Sequence, residues 1–225
     1  MNMTTAVAGI DVGGTKKGFH LVILRGREIS DVFSSTDASH IHARCLSFDV
    51  RAIGIGAPSQ WAIENEGRAA EKAMARERIS CFSTPTEAKA RASTSGFYEW
   101  MFNGARIYAA FARTHPILKE ALFSGAAVSF ETFPHAITCA YLKDEASAKK
   151  KNLQRRKLLE DEGIDTSKLK SIDEIDAALC ALAAQCLIAG ETRAFGDAAS
   201  GYIFVPNARN DIKQPLPNAP ARSCP

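Results

Sequence analysis

The chain has 225 residues, of which 46% are hydrophobic, and a formal net charge of +3. That is enough apolar material for one substantial core, and too short a chain for two full lobes joined by linkers. The near balance of charge gives no bulk signal of a polyanion binder, so any such site must be a local patch.

The first predicted element is a short buried strand, Ala6-Val7-Ala8-Gly9-Ile10-Asp11, which ends in a carboxylate and runs into the turn Val12-Gly13-Gly14-Thr15-Lys16. Residues 17–24 and 28–34 read as two further strands joined at Arg25-Gly26-Arg27, a hairpin turn. A short helix over 39–48 and an apolar strand over 51–56 follow, the strand closed by Ala57-Pro58. Residues 66–77, rich in Ala, Glu, Lys and Arg, predict a helix. Arg68 and Glu71 open it at helical spacing; they could line a site, but such a pattern is typical of a surface pair. Residues 98–113 predict another helix, with Trp100, Met101, Ile107, Tyr108 and Phe111 as core positions rather than a base-stacking platform.

Alternation over 126–133 gives a strand, and Pro134 is suited to the first turn of a helix running to Leu142. A charged helix over 146–162, a long apolar helix over 171–189 and a last strand over 201–205 complete the pattern. Residues 1–206 therefore read as one α/β domain with a helical insertion at about 60–125, and 207–225, rich in Asn, Pro and Arg, as a poorly ordered tail. No internal repeat is present. Six cysteines, at 45, 81, 139, 180, 186 and 224, form no C-x-x-C pair. They fit reduced thiols in a cytoplasmic protein better than a zinc site. Neither a secretory leader nor a membrane span is expected from the apolar patterning.

Four acids stand out. Asp11 ends a central strand, and in open α/β sheets chemistry gathers at the carboxyl ends of strands; the bland alternative is turn chemistry beside two glycines. Glu131 lies near the end of Val128-Ser129-Phe130-Glu131-Thr132-Phe133, where a charge needs a partner or a metal if it is buried. Asp173 and Asp176 sit on the last long helix behind a capping box formed by Ser171 and Glu174. Their spacing of three places them on one helical face, which continues into Cys180, Ala183 and Ala184. Capping and the helix dipole could account for Asp173, but less well for Asp176. Mg²⁺ and Mn²⁺ favour hard oxygen ligands, and two such ions can stabilise both oxygens of a phosphodiester displacement. Asp11, Glu131, Asp173 and Asp176 would supply the carboxylates for such a centre.

The order of these segments resembles the RNase H-like superfamily. The stretches that carry the resemblance are Gly9-Ile10-Asp11, Ile53-Gly54-Ile55-Gly56-Ala57-Pro58, Phe130-Glu131-Thr132-Phe133-Pro134-His135-Ala136 and Asp173-Glu174-Ile175-Asp176-Ala177-Ala178-Leu179. Two acids three apart on a late helix are similar to the arrangement in Holliday-junction resolvases. The chain as a whole is similar to an uncharacterised family of predicted nucleases with this fold. The resemblance implies a mixed sheet, with three antiparallel strands first and parallel strands after, flanked by helices. It also implies divalent-metal-dependent hydrolysis of nucleic acid by the four acids. The sequence departs from the pattern at Gly56, where an acid often stands.

Two other readings stay open. Asp11-Val12-Gly13-Gly14-Thr15-Lys16 also resembles the phosphate loop of actin-like sugar kinases, although no second glycine-rich loop of that kind follows. A non-catalytic binding module that keeps the fold is the other reading. The basic run Lys149–Lys157 could grip a phosphate backbone or form a solvated helix face. Histidines 20, 40, 42, 115 and 135 are scattered, and His135 reads as a helix-start residue.

Overall fold

The computed structural model describes residues 5–64, 67–143 and 146–207. The tail expected after Pro206 lies almost entirely outside these residues. Seven strands form one sheet: β1 (Ala6–Val12), β2 (Phe19–Arg25), β3 (Glu28–Ser35), β4 (Val50–Gly56), β5 (Val128–Glu131), β6 (Thr192–Asp197) and β7 (Gly201–Pro206). Their spatial order is β3-β2-β1-β4-β5-β7-β6. β2 is antiparallel to β1 and β3, β4 and β5 continue parallel to β1, and β7 adds in parallel to β5. β6 runs antiparallel to β7 at the far edge and has no counterpart among the strands expected from the sequence. This mixed sheet, antiparallel over its first three strands and parallel from there to β7, with helices on its faces, has the arrangement expected from the sequence.

The helices are α1 (Ala38–Ser47), α2 (Ala69–Arg76), α3 (Glu87–Arg91), α4 (Glu99–Phe111), α5 (Pro134–Leu142), α6 (Lys151–Asp161) and α7 (Ile172–Ala189). Helices α2, α3 and α4 lie in the connection between β4 and β5. Pro134 occupies the first turn of α5. Among the described residues no helix is long and apolar enough to cross a membrane, and the five described cysteines are free thiols.

Strand alternation divides the core between two faces. Ala6, Ala8, Ile10, Ile53 and Ile55 pack with Ile41, Cys45, Ile107 and Phe111 of α1 and α4. Val7, Val22, Ala52 and Phe130 face α7, against Ala178, Leu179 and Leu182. Each large side chain buried this way stabilises by roughly 1.5–3 kcal/mol.

Helix α7 lies directly on the glycines of the central strands. A Cβ at Gly9 would stand 2.0 Å from the Ala177 carbonyl oxygen, and one at Gly54 2.4 Å from that of Cys180. The helix begins with the expected capping box. The Ser171 hydroxyl accepts from the Glu174 N–H, and the Glu174 carboxylate accepts from the Ser171 N–H, both at 3.1 Å. It ends at Gly190, whose φ of 73° is the left-handed conformation of a glycine stop.

Candidate active site at the carboxyl end of the central strand

Because α7 starts at the carboxyl end of β1, its first two turns face the strand tip. Asp11 lies opposite His20 on β2 and Gly56 on β4. Paired residues share a face, so all three point toward α7. There Asp11 meets Asp173 and Asp176. Burial, reinforced by Asp176 and then Asp173, pushes the Asp11 carboxyl up to about 8, and Lys17 and Arg155 offset only part of this. Burial also raises Asp176, more than its contact with Arg155 lowers it. The Cys180 thiol next along the helix is driven well above its ordinary value by burial, then by Asp11 and Asp176.

Two cations hold the other two carboxylates. Lys17 Nζ donates to both oxygens of Asp173, at 3.0 and 2.8 Å, and this contact raises the lysine's own affinity for its proton. Arg155 Nη1 donates to both oxygens of Asp176, at 2.6 and 2.7 Å. His20 Nδ1 lies 3.0 Å from the Ser34 hydroxyl, and its Nε2 is 3.8 Å from Asp173. Among the described residues, no three His, Cys, Asp or Glu side chains already stand as a coordination shell. Gly56 lies against the Asp11 carboxylate at ordinary contact distance. A Cβ there would lie 3.5 Å from Asp11 Oδ1 and 3.6 Å from Cys180 Sγ.

The structure does not bring Glu131 to the other three acids. Glu131 pairs with Ile55, whereas Asp11 pairs with Gly56, the next residue of β4. Successive side chains alternate faces, so Glu131 points away from α7. On that face Arg68 Nη1 and Nη2 reach its two oxygens at 2.7 and 2.5 Å. The backbone N–H and hydroxyl of Ser59 donate to it as well. Arg68 also donates to Glu71 at 2.9 Å, and Glu71 accepts from the Thr84 hydroxyl and N–H. Burial works against the Arg68 charge, and Glu131 and Glu71 more than compensate. Arg68 is 1% exposed, so Arg68 and Glu71 are a buried latch and not the surface pair their spacing suggested.

The other sequence candidates sort cleanly. The turn after Asp11 closes on itself through Gly13 N–H to the Gly18 carbonyl. Its Thr15 N–H, which a phosphate loop would aim at an anion, donates to Glu99 at 3.0 Å. His135 Nε2 sits 3.6 Å from Cys139 Sγ, one turn along α5. The basic run splits: Arg155 turns into the site, Arg156 donates to the carbonyls of Thr166 and Leu169, and Lys157 pairs with Asp161. Lys17, His20 and Arg155 are the site neighbours not singled out from the sequence. Arg155 was legible in principle, because it lies three and four residues before the buried Leu158 and Leu159 and so shares their inward face.

A family model described as "Protein of unknown function (DUF429)" matches residues 9–200. The chain belongs to this family. The match takes in every residue of the acid cluster, together with the Arg68 latch of this DUF429 protein. No curated protein matches the chain. Among solved structures it is similar to RuvC of Thermus thermophilus in complex with a Holliday junction substrate, at 16% identity and a TM-score of 0.40, covering 79% of this chain and 90% of that one. A second Thermus thermophilus RuvC structure matches at 16% identity and a TM-score of 0.41, covering 78% and 92%.

Proposed function

We propose that this protein is a divalent-metal-dependent nuclease that hydrolyses phosphodiester bonds of nucleic acid at the Asp11, Asp173 and Asp176 cluster. The observation that carries the reading is the burial of Asp11 at the tip of β1 beside Asp176 and Asp173, which together push its carboxyl up to about 8, burial first. Such clusters of like charge are retained where they serve a site. The donor set fits Mg²⁺ or Mn²⁺, being all carboxylate oxygen. Asp11, Asp173 and Asp176 are the residues that would hold such an ion, Asp176 standing beside Asp11 but engaged by the buried Arg155. A bound ion would supply charge neutralisation and an activated water.

The chain's own groups do the rest. Lys17 is 60% exposed at its side chain and sits on a glycine-rich turn, so it can leave Asp173 for a substrate phosphate. His20, fixed by Ser34 on one ring nitrogen, lines the β2 side of the cluster. Glu131 lies outside this cluster, holding Ser59 and Arg68 on the opposite face of the sheet.

The test is cleavage of single-stranded, duplex and branched DNA and RNA in Mg²⁺ or Mn²⁺. Asp11→Asn is expected to abolish cleavage while leaving the thermal midpoint unchanged or raised, since it removes like-charge repulsion. Cleavage that survives Asp11→Asn at the wild-type rate would remove the proposal. A non-catalytic binding module is the reading favoured by Gly56 and by the cations already on Asp173 and Asp176. Absence of saturable Mn²⁺ binding would select it.

A further inference from the structure

Around the acid cluster the two cations are not equivalent. Lys17 is exposed and replaceable. Arg155 is 7% exposed, lies on α6 against α7, and places one nitrogen within 2.7 Å of both oxygens of Asp176. Its Nε is buried and has no hydrogen-bond partner among the described residues. A buried donor left unpaired costs about 1–3 kcal/mol, and such groups call for a specific explanation. A guanidinium carries donors only and cannot ligate a metal, so Arg155 competes with an ion for Asp176 rather than sharing it. A planar guanidinium can hold a carboxylate on one edge and meet a phosphate oxygen with its remaining donors.

Building on the nuclease reading, we infer that Arg155 takes the place of a second divalent cation, so that the centre would hold one ion, with Asp11 and Asp173 as the carboxylates that no buried cation occupies. Asp176 serves as the anchor of Arg155 rather than as a metal ligand. Breaking a buried ion pair by removing one partner typically costs about 3–5 kcal/mol, so an ion competing for Asp176 must first displace an arginine that has nowhere else to go. Lys17 presents no such barrier at Asp173.

The experiment is a Mn²⁺ titration of the full chain without nucleic acid, read by calorimetry and by loss of the free-ion electron paramagnetic resonance signal. The wild type is expected to bind one ion. Asp176→Asn should leave its affinity within about 3-fold, whereas Asp173→Asn should weaken it by about 10-fold or more, equivalent to about 1.4 kcal/mol. Arg155→Gln, if it folds, should bind a second ion and gain more thermal stability from Mn²⁺ than the wild type does. Two ions on the wild type, or a loss of affinity in Asp176→Asn as large as that in Asp173→Asn, would overturn the inference while leaving a metal site in place. No saturable binding by the wild type would remove both the inference and the nuclease reading beneath it.

Discussion

At the scale of single residues, Asp11 shows how the site loads the fold with unfavourable charge. Its carboxyl ordinarily loses a proton near 3.8 and here does so at about 8. Between those values the folded chain keeps a proton that the unfolded chain has released. Stability contributed by this group therefore falls as pH rises through that window and levels off above it. Asparagine never ionises, so the stability gained by Asp11→Asn should be near zero at about pH 4 and grow to its full size by about pH 9. Thermal melts of both proteins across this range check it. A gain that is constant with pH would mean that the carboxylate is not buried among like charges. The acids themselves were legible in the sequence because each interrupts an apolar pattern. Their partners were not: Arg68 reaches Glu131 across 63 positions, and nothing local distinguishes it from a solvated arginine.

At the scale of elements, most of the strands and helices follow from alternation, proline placement and capping, and α7 follows from its long apolar run and its capping box. Elements that depend on a distant partner were not legible. β6 carries Arg193, Gly196 and Asp197 and is half exposed along its length, so its pattern resembles a loop; its pairing with β7 alone makes it a strand. α3, five residues long, is too short to show a period. The contact that sets the site is the seat of α7 on β1 and β4, and its critical residue is Gly9. The 2.0 Å that would separate a Cβ there from a helix carbonyl cannot be relieved by a side-chain rotation, because the obstacle is backbone. Gly9→Ala should therefore lift α7 from the sheet and destabilise by about 3 kcal/mol, measured by chemical denaturation. It should also weaken Mn²⁺ binding, because Asp173 moves with the helix. A neutral Gly9→Ala would contradict the close seating of α7.

At the scale of the whole molecule, the sheet separates two buried charge systems. On the α7 face lie Asp11, Asp173 and Asp176 with Lys17 and Arg155; on the other lie Glu131, Arg68 and Glu71. A sequence reading gathers all four acids because every one of them sits at a strand tip or a helix start. It misses that Glu131 and Asp11 are out of phase by one residue relative to β4, and one residue is the whole difference between the two faces. The division predicts how mutations combine. Glu131→Gln leaves the fully buried Arg68 with Glu71 as its remaining carboxylate and should cost about 3–5 kcal/mol. Asp11→Asn should be neutral or stabilising at neutral pH. Groups without shared partners combine additively to within about 0.5 kcal/mol, so the double variant should show the sum of the two effects, and Mn²⁺ affinity in Glu131→Gln should stay near wild type. A coupling of about 1 kcal/mol or more between the two substitutions, measured at one pH by urea unfolding, would mean that Glu131 and Asp11 act through a common centre after all, and that the sheet does not insulate one face from the other.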